Sequence, residues 1–164
     1  MQANELDIEI VKKHLRFDQA TGQLFWRTGT SIRKRGEAGY INAKGYRVVM
    51  LGGKNVRAHR IVWALVHGEW PSIDIDHING DRGDNQPSNL RLATRSQNNQ
   101  NQRAPRSNSK SPYLGVTWHG QSKRWAARIT VNRKVRHLGL FKTPEEASQA
   151  YVAAKREIHS HGML

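Results

Sequence analysis

Residues 101–112, NQRAPRSNSKSP, contain no acid and no large apolar side chain, and this stretch limits what the rest of the chain can fold into. A segment so polar and basic has little to bury, so it reads as a linker. The remainder must then form two small folds, 100 residues before the break and 52 after it. Charge divides unevenly between them. Residues 1–100 hold 15 basic and 10 acidic side chains, whereas residues 101–164 hold 12 and 3.

Over the whole chain, 27 Lys and Arg against 13 Asp and Glu give a net charge of +14. Such an excess opposes compaction by self-repulsion and points to a polyanionic partner. A basic ribosomal-type protein or a membrane-surface binder would share the charge. However, no run approaches the ~20 apolar residues of a membrane span, so no membrane association is expected. The opening MQANELDIEIVKKH has early acids and no apolar core, unlike a secretory signal. The absence of cysteine excludes disulfides and Cys-based zinc sites and suits a reducing cytoplasm, the host's if a phage encodes the chain.

Hydrophobic patterning supports an α+β chain. The first 57 residues read as short antiparallel strands: Leu15–Asp18, a turn at Thr21-Gly22, Leu24–Trp26, then Gly45–Leu51 closed by Gly52-Gly53. Ala58–His67 reads as an apolar helix stopped by Gly68. Ile73–Asn79 is strand-like, a Gly/Asp/Asn loop follows, and Asn89–Asn101 reads as a second helix. Beyond the linker, three alternating segments (Tyr113–Trp118, Trp125–Val131, Val135–Phe141) precede Thr143-Pro144-Glu145-Glu146, a capping box with proline at the first helical position. Ala147, Ala150, Tyr151, Ala154 and Ile158 then recur at helical spacing. Three strands and a packed helix form the expected second domain over 113–161.

The stretch with chemistry is Asp76-His77-Ile78-Asn79-Gly80-Asp81, then Asp84-Asn85, Ser88-Asn89-Leu90-Arg91 and Gln97-Asn98-Asn99. Cutting a phosphodiester requires an activated water and neutralisation of charge on the leaving oxygen. A neutral histidine suits the first task, and a hard cation held by carboxylate and carboxamide oxygens suits the second. Asn79-Gly80-Asp81 alone is a common turn signal. A calcium loop fails, because the twelfth position from Asp76 is Pro87, where a bidentate Glu is needed. His59, on an apolar helix, reads as a structural histidine, and Arg60 could reach a phosphate or pair with Asp74.

In order and spacing these residues resemble the HNH endonuclease family, in its homing-endonuclease branch. Ala58-His59-Arg60-Ile61-Val62-Trp63 and Gly68-Glu69-Trp70-Pro71 add to the likeness, which covers roughly residues 15–101. The resemblance implies a ββα-metal nuclease domain over 1–100 that nicks or cleaves double-stranded DNA. It implies His77 as general base, Asn89 as the residue fixing the loop and orienting His77, and Asp76 with Asn98 as metal ligands. The ion implied is Mg²⁺ or Mn²⁺. Asn98 stands where other members carry His, which disfavours a soft ion such as Zn²⁺.

The C-terminal segments Tyr113-Leu114-Gly115-Val116, Trp125–Ile129, Leu138–Phe141 and Thr143–Ala147 resemble the AP2 DNA-binding domain. That likeness implies a three-stranded sheet reading duplex DNA, with Arg124, Arg128, Arg133, Arg136 and Trp118 as contacts, and Trp118 or Trp125 retained in the core. Arg103 and Arg106 in the linker are candidates for a phosphate-tracking arm. The alternative reading is a DNA-binding regulator with a degenerate nuclease domain. The joint presence of Asp76, His77, Asn89 and Asn98 favours the enzyme. Oligomeric state is left open, with a monomer favoured.

Overall fold

The computed structural model describes residues 6–27, 36–102, 104–105, 109–132 and 134–158, so Arg103, Arg106 and Arg133 lie outside the described residues. The chain is a mixed α+β protein, with small sheets and four α-helices among the described residues. Two compact units divide it, Met1–Ala93 and Thr94–Leu164.

The first unit opens with a helix where strands were expected. Asp7 accepts a hydrogen bond from Glu9 N, and α1 runs Ile8–His14. Only Val11 of this helix is buried. Its remaining apolar residues therefore trace no helical stripe, and the sequence alternates like a strand.

Strand β1 (Leu15–Phe17) pairs antiparallel with β2 (Leu24–Trp26). The turn between them includes Gly22, whose φ is +73°, and a Cβ there would overlap the backbone of Asn85 and Gln86. Only glycine allows this approach. Gln86 Nε2 completes the contact by donating to Ala20 O at 3.1 Å. The hairpin thus braces a loop some sixty residues downstream.

A second sheet joins β3 (Tyr40–Ile41), β4 (Arg47–Leu51) and β5 (Lys54–Arg57) as an antiparallel meander. Strand β5 leads directly into α2 (Ala58–His67), which Gly68 ends in the left-handed conformation with its N–H on Ala64 O at 3.0 Å. The stop is where the sequence puts it. Ala58, Ile61 and Val62 join Val11, Leu15, Leu24 and Val49 in the core, and complete burial of each larger aliphatic side chain stabilises by roughly 1.5–3 kcal/mol.

Strand β6 (Ile75–His77) pairs with β7 (Leu90–Leu92), placing Asp76 opposite Arg91 and His77 opposite Leu90. The helix expected from Asn89 is therefore split. Leu90 is buried and Leu92 half-buried in strand pairing, and the helix α3 begins only at Arg95 (Arg95–Gln100). Thr94 caps it, accepting from Gln97 N, while the Gln97 side chain accepts from Thr94 N at 2.8 Å. Serine, threonine and glutamine satisfy such end groups better than the apolar Leu90–Ala93 segment would.

In the second unit β8 (Val116–His119), β9 (Arg124–Val131) and β10 (Lys134–Phe141) form an antiparallel sheet in sequence order, covered on one face by α4 (Pro144–Ile158). Glu146 N donates to Thr143 Oγ1 and Glu146 Oε2 accepts from Thr143 N, completing the expected capping box. Val116, Ala127 and Ala147 form the core, with Trp125, Leu138 and Phe141 against it. Gly115, at φ +74°, admits the Tyr151 ring where any Cβ would overlap it.

Candidate active site

Strand β6 presents Asp76 and His77 at its end, both buried, at 8% and 5% exposure. Alternation sends neighbouring residues of a strand to opposite sides, so the two side chains meet different partners. Asp76 faces Arg91 across the pair, and Nε and Nη2 of Arg91 both donate to Asp76 Oδ2, at 2.9 and 2.8 Å.

His77 meets Asn85. Its Nε2 lies 3.2 Å from Asn85 Oδ1, while Asn85 Nδ2 donates to Gly83 O at 3.2 Å. With the amide nitrogen turned to Gly83, the oxygen faces the imidazole and accepts from Nε2–H. The neutral ring then carries its lone pair on Nδ1. Burial lowers the His77 pKa below the ordinary histidine value, opposed by the Asn85 hydrogen bond and by Asp76, Asp81 and Asp84. The imidazole is thus neutral at pH 7 and able to accept a proton.

The loop from Asn79 to Asn89 is folded by its own polar side chains. Asn89 Oδ1 accepts from Asn79 N at 2.9 Å, and Asn89 Nδ2 donates to Asp84 O at 2.8 Å. Asn79 Nδ2 donates to Asp84 Oδ2 at 2.7 Å. Asp81 Oδ1 accepts from Gly83 N, and Asp84 Oδ1 from Gln86 N. These two acids are occupied as backbone acceptors. Asn89, 8% exposed, spans the loop from one end to the other.

Histidine 59, from the first turn of α2, is 3% exposed and sets its ring edge-on to His77 at 5.0 Å between centroids. Burial, together with the charges of His77, Arg57 and Arg60, lowers its pKa to about 3. Tyr46 touches both histidines, at 5.5 and 6.1 Å, and carries the guanidinium groups of Arg57 and Arg82 against its ring. Arg60 Nη2 donates to Pro71 O at 3.3 Å.

Of the sequence candidates, Asp76, His77 and Asn89 therefore stand together on one strand pair and its loop. Asn98 is half-buried on α3, in the second compact unit. Asn85 and Arg91 lay inside the motif, but nothing in their spacing marked what they touch. Tyr46 and His59 come from other elements, and only the helical position of His59 marked it at all.

In the second unit, register separates the DNA-contact candidates. Ile129 and Ala127 are buried under α4, so Arg124 and Arg128, at the alternate positions of β9, lie on the open face. Arg128 pairs with His137 there. Arg136 pairs with Ile129 and so belongs to the helix-side face. Trp118 is 49% exposed and stacks edge-on with Trp125, its register partner, which packs into the core.

Residues 56–100 match the family model described as HNH endonuclease, a span that includes α2, β6, the loop and β7. Residues 56–100 thus carry an HNH endonuclease domain, and the chain is a nuclease. It is similar to Protein 3.8 of Escherichia phage T7, 31% identical over 107 residues, covering 65% of this chain and 87% of the relative. An uncharacterized HNH endonuclease, L560 of Acanthamoeba polyphaga mimivirus, is 33% identical over 121 residues, 73% of this chain and 61% of that protein. Among solved structures the chain resembles the one titled "DNA binding and cleavage by the HNH homing endonuclease I-HmuI". That likeness is 29% identical with a TM-score of 0.44, covering 59% of this chain and 56% of the other. Among the described residues no helix is long and apolar enough to cross a membrane.

Proposed function

We propose that this nuclease hydrolyses phosphodiester bonds of double-stranded DNA, with His77 as general base and a hard divalent cation at the leaving oxygen. The observation that carries the reading is the buried imidazole of His77, held by Asn85 next to Asp76. Nδ1 takes a proton from the attacking water, and Nε2–H stays on the Asn85 amide, so the imidazolium that forms keeps its anchor. Asn89 holds the loop that carries Asn85 at a fixed distance from β6.

The donor set fits a hard ion. Asp76 offers a carboxylate and Asn98 a carboxamide oxygen, and no group of three His, Asp or Glu converges among the described residues. Oxygen donors of this kind suit Mg²⁺ or Mn²⁺ better than Zn²⁺. Asp76 would hold the ion, and the family resemblance names Asn98 as a further ligand. When bound, it supplies charge neutralisation at the oxygen that departs. Arg91 keeps the Asp76 carboxylate in one orientation from the other strand.

We assign the second unit to DNA binding through an AP2-like sheet, with Arg124 and Arg128 on its open face and the linker residues Arg103 and Arg106 as a basic arm. The +14 net charge and the concentration of basic residues after position 100 support a duplex partner. Supercoiled plasmid incubated with the protein and Mg²⁺ tests the whole reading. Conversion to nicked or linear DNA that stops in EDTA is expected, and the nicked-to-linear ratio reports whether a monomer cuts one strand at a time. Full cleavage after exhaustive chelation would overturn the metal assignment.

A further inference from the structure

Two exposed arginines converge on one aromatic ring beside the site. The Cζ of Arg57 lies 4.7 Å from the Tyr46 ring centroid and that of Arg82 lies 4.9 Å from it. They come from distant parts of the chain, Arg57 from the end of β5 and Arg82 from the loop after β6. Arg82 is held further by Nη1, which donates to Lys44 O at 2.8 Å. Among the described residues neither arginine pairs with a carboxylate, whereas Arg47 and Arg91 each do. Tyr46 in turn lies against His77, at 6.1 Å between ring centroids.

This arrangement costs energy in isolation. Two like charges brought to a single ring repel, and exposed guanidinium–aromatic contacts offset this only weakly. Phosphates bound at their free edges would reverse the balance. Stacking uses the flat faces of the guanidinium groups and leaves their N–H edges for bidentate contact with phosphate oxygens. It also fixes two long side chains before binding, so less rotamer freedom is lost when the anion arrives.

We propose that Arg57 and Arg82, ordered on Tyr46, form a phosphate cradle that holds the DNA backbone next to the bond His77 attacks. The inference rests on the nuclease reading above and adds a binding subsite to it. The cradle seats non-reacting phosphates, and its contribution is to affinity and register. His77 and the metal ligands retain the chemistry.

The test measures affinity of the full-length protein for a short DNA duplex across a salt series in EDTA, where nothing is cut. R57A and R82A are each expected to reduce the log–log salt slope by about 0.9, and the double variant by about twice that. Y46L should lower the slope as the double variant does, and Y46F, which keeps the ring, should restore it. With Mg²⁺ present, R57A and R82A should raise KM by a larger factor than they lower kcat. R16A supplies the comparison, because Arg16 also stacks on an aromatic ring, Phe25 at 4.3 Å, in the β1–β2 hairpin. An unchanged slope in the double variant would overturn the cradle. So would an equal loss in R16A, since net charge alone would then explain the effect. Cleavage by H77A run in parallel keeps the two claims apart: an active H77A defeats the base assignment, while the salt slopes judge the cradle independently.

Discussion

The amide oxygen of Asn85 stands 3.2 Å from Nε2 of His77, and that contact decides which imidazole nitrogen accepts a proton. Asn85 is 4% exposed and its own amide nitrogen is engaged by Gly83 O, so the oxygen cannot rotate away without breaking a second bond. A leucine there removes the acceptor and lets the ring adopt either tautomer. N85L should lower kcat roughly 10-fold or more, short of the 10²–10⁴ that a general base contributes, with KM little changed. Nitrogen NMR of the imidazole checks the cause directly: Nε2 should be protonated in the parent protein and both nitrogens averaged in N85L. An N85L protein with the parent's tautomer and kcat would remove Asn85 from the mechanism.

His59 makes acid stability predictable. Its folded pKa of about 3 lies below the unfolded value near 6.5, so the unfolded chain binds the extra proton between those limits. The neutral buried state therefore stabilises fully above pH 6.5 and progressively less as pH falls toward 3, at a limiting slope of ~1.4 kcal/mol per pH unit. Denaturant unfolding between pH 7 and pH 4 should show this slope. H59F, which cannot be protonated, should flatten it, whatever its effect on stability at pH 7.

The Asp76–Arg91 pair links the proposed metal ligand to the fold. Its two hydrogen bonds converge on one carboxylate oxygen, and both side chains are largely shielded from solvent. D76A leaves the Arg91 guanidinium without this carboxylate and should cost about 1–3 kcal/mol of stability. It should also raise the Mg²⁺ concentration needed for half-maximal cleavage. N98A should raise that concentration without comparable loss of stability, since Asn98 is only half-buried. Equal metal dependence in D76A and the parent would take Asp76 out of the ligand set.

Much of this architecture was legible in the residues, and the exceptions share a physical cause. Helix α2 and its Gly68 stop, the β1–β2 hairpin and the β8–β10 sheet with α4 each follow from local pattern and capping chemistry. Helix α1 was missed because seven residues burying one side chain leave no periodic trace. Strand β7 was absorbed into the following helix because three residues are too few to show alternation, and their pairing with β6 is fifteen residues away in sequence. The site divides in the same way. Asp76, His77 and Asn89 stand out through the family resemblance of their order and spacing, whereas the contacts of Tyr46 and His59 with His77 depend on how the sheet and α2 meet.

Register in the second unit gives a contrast within one strand pair. By register half-buried Arg128 lies on the sheet face opposite Ile129, and Arg136, itself exposed, on the face of Ile129. R124A and R128A should each reduce the salt slope of duplex binding by about 0.9, and R136A should leave it unchanged. Equal losses from all three would mean that the unit acts through net charge rather than through one face.

The central claim is that His77 is the proton acceptor, and single-turnover cleavage of supercoiled plasmid by H77A in Mg²⁺ tests it most directly, with duplex affinity measured in the same buffer. The account predicts a rate lower by on the order of 10²-fold or more, with affinity retained. Cleavage by H77A at the parent's rate would contradict it.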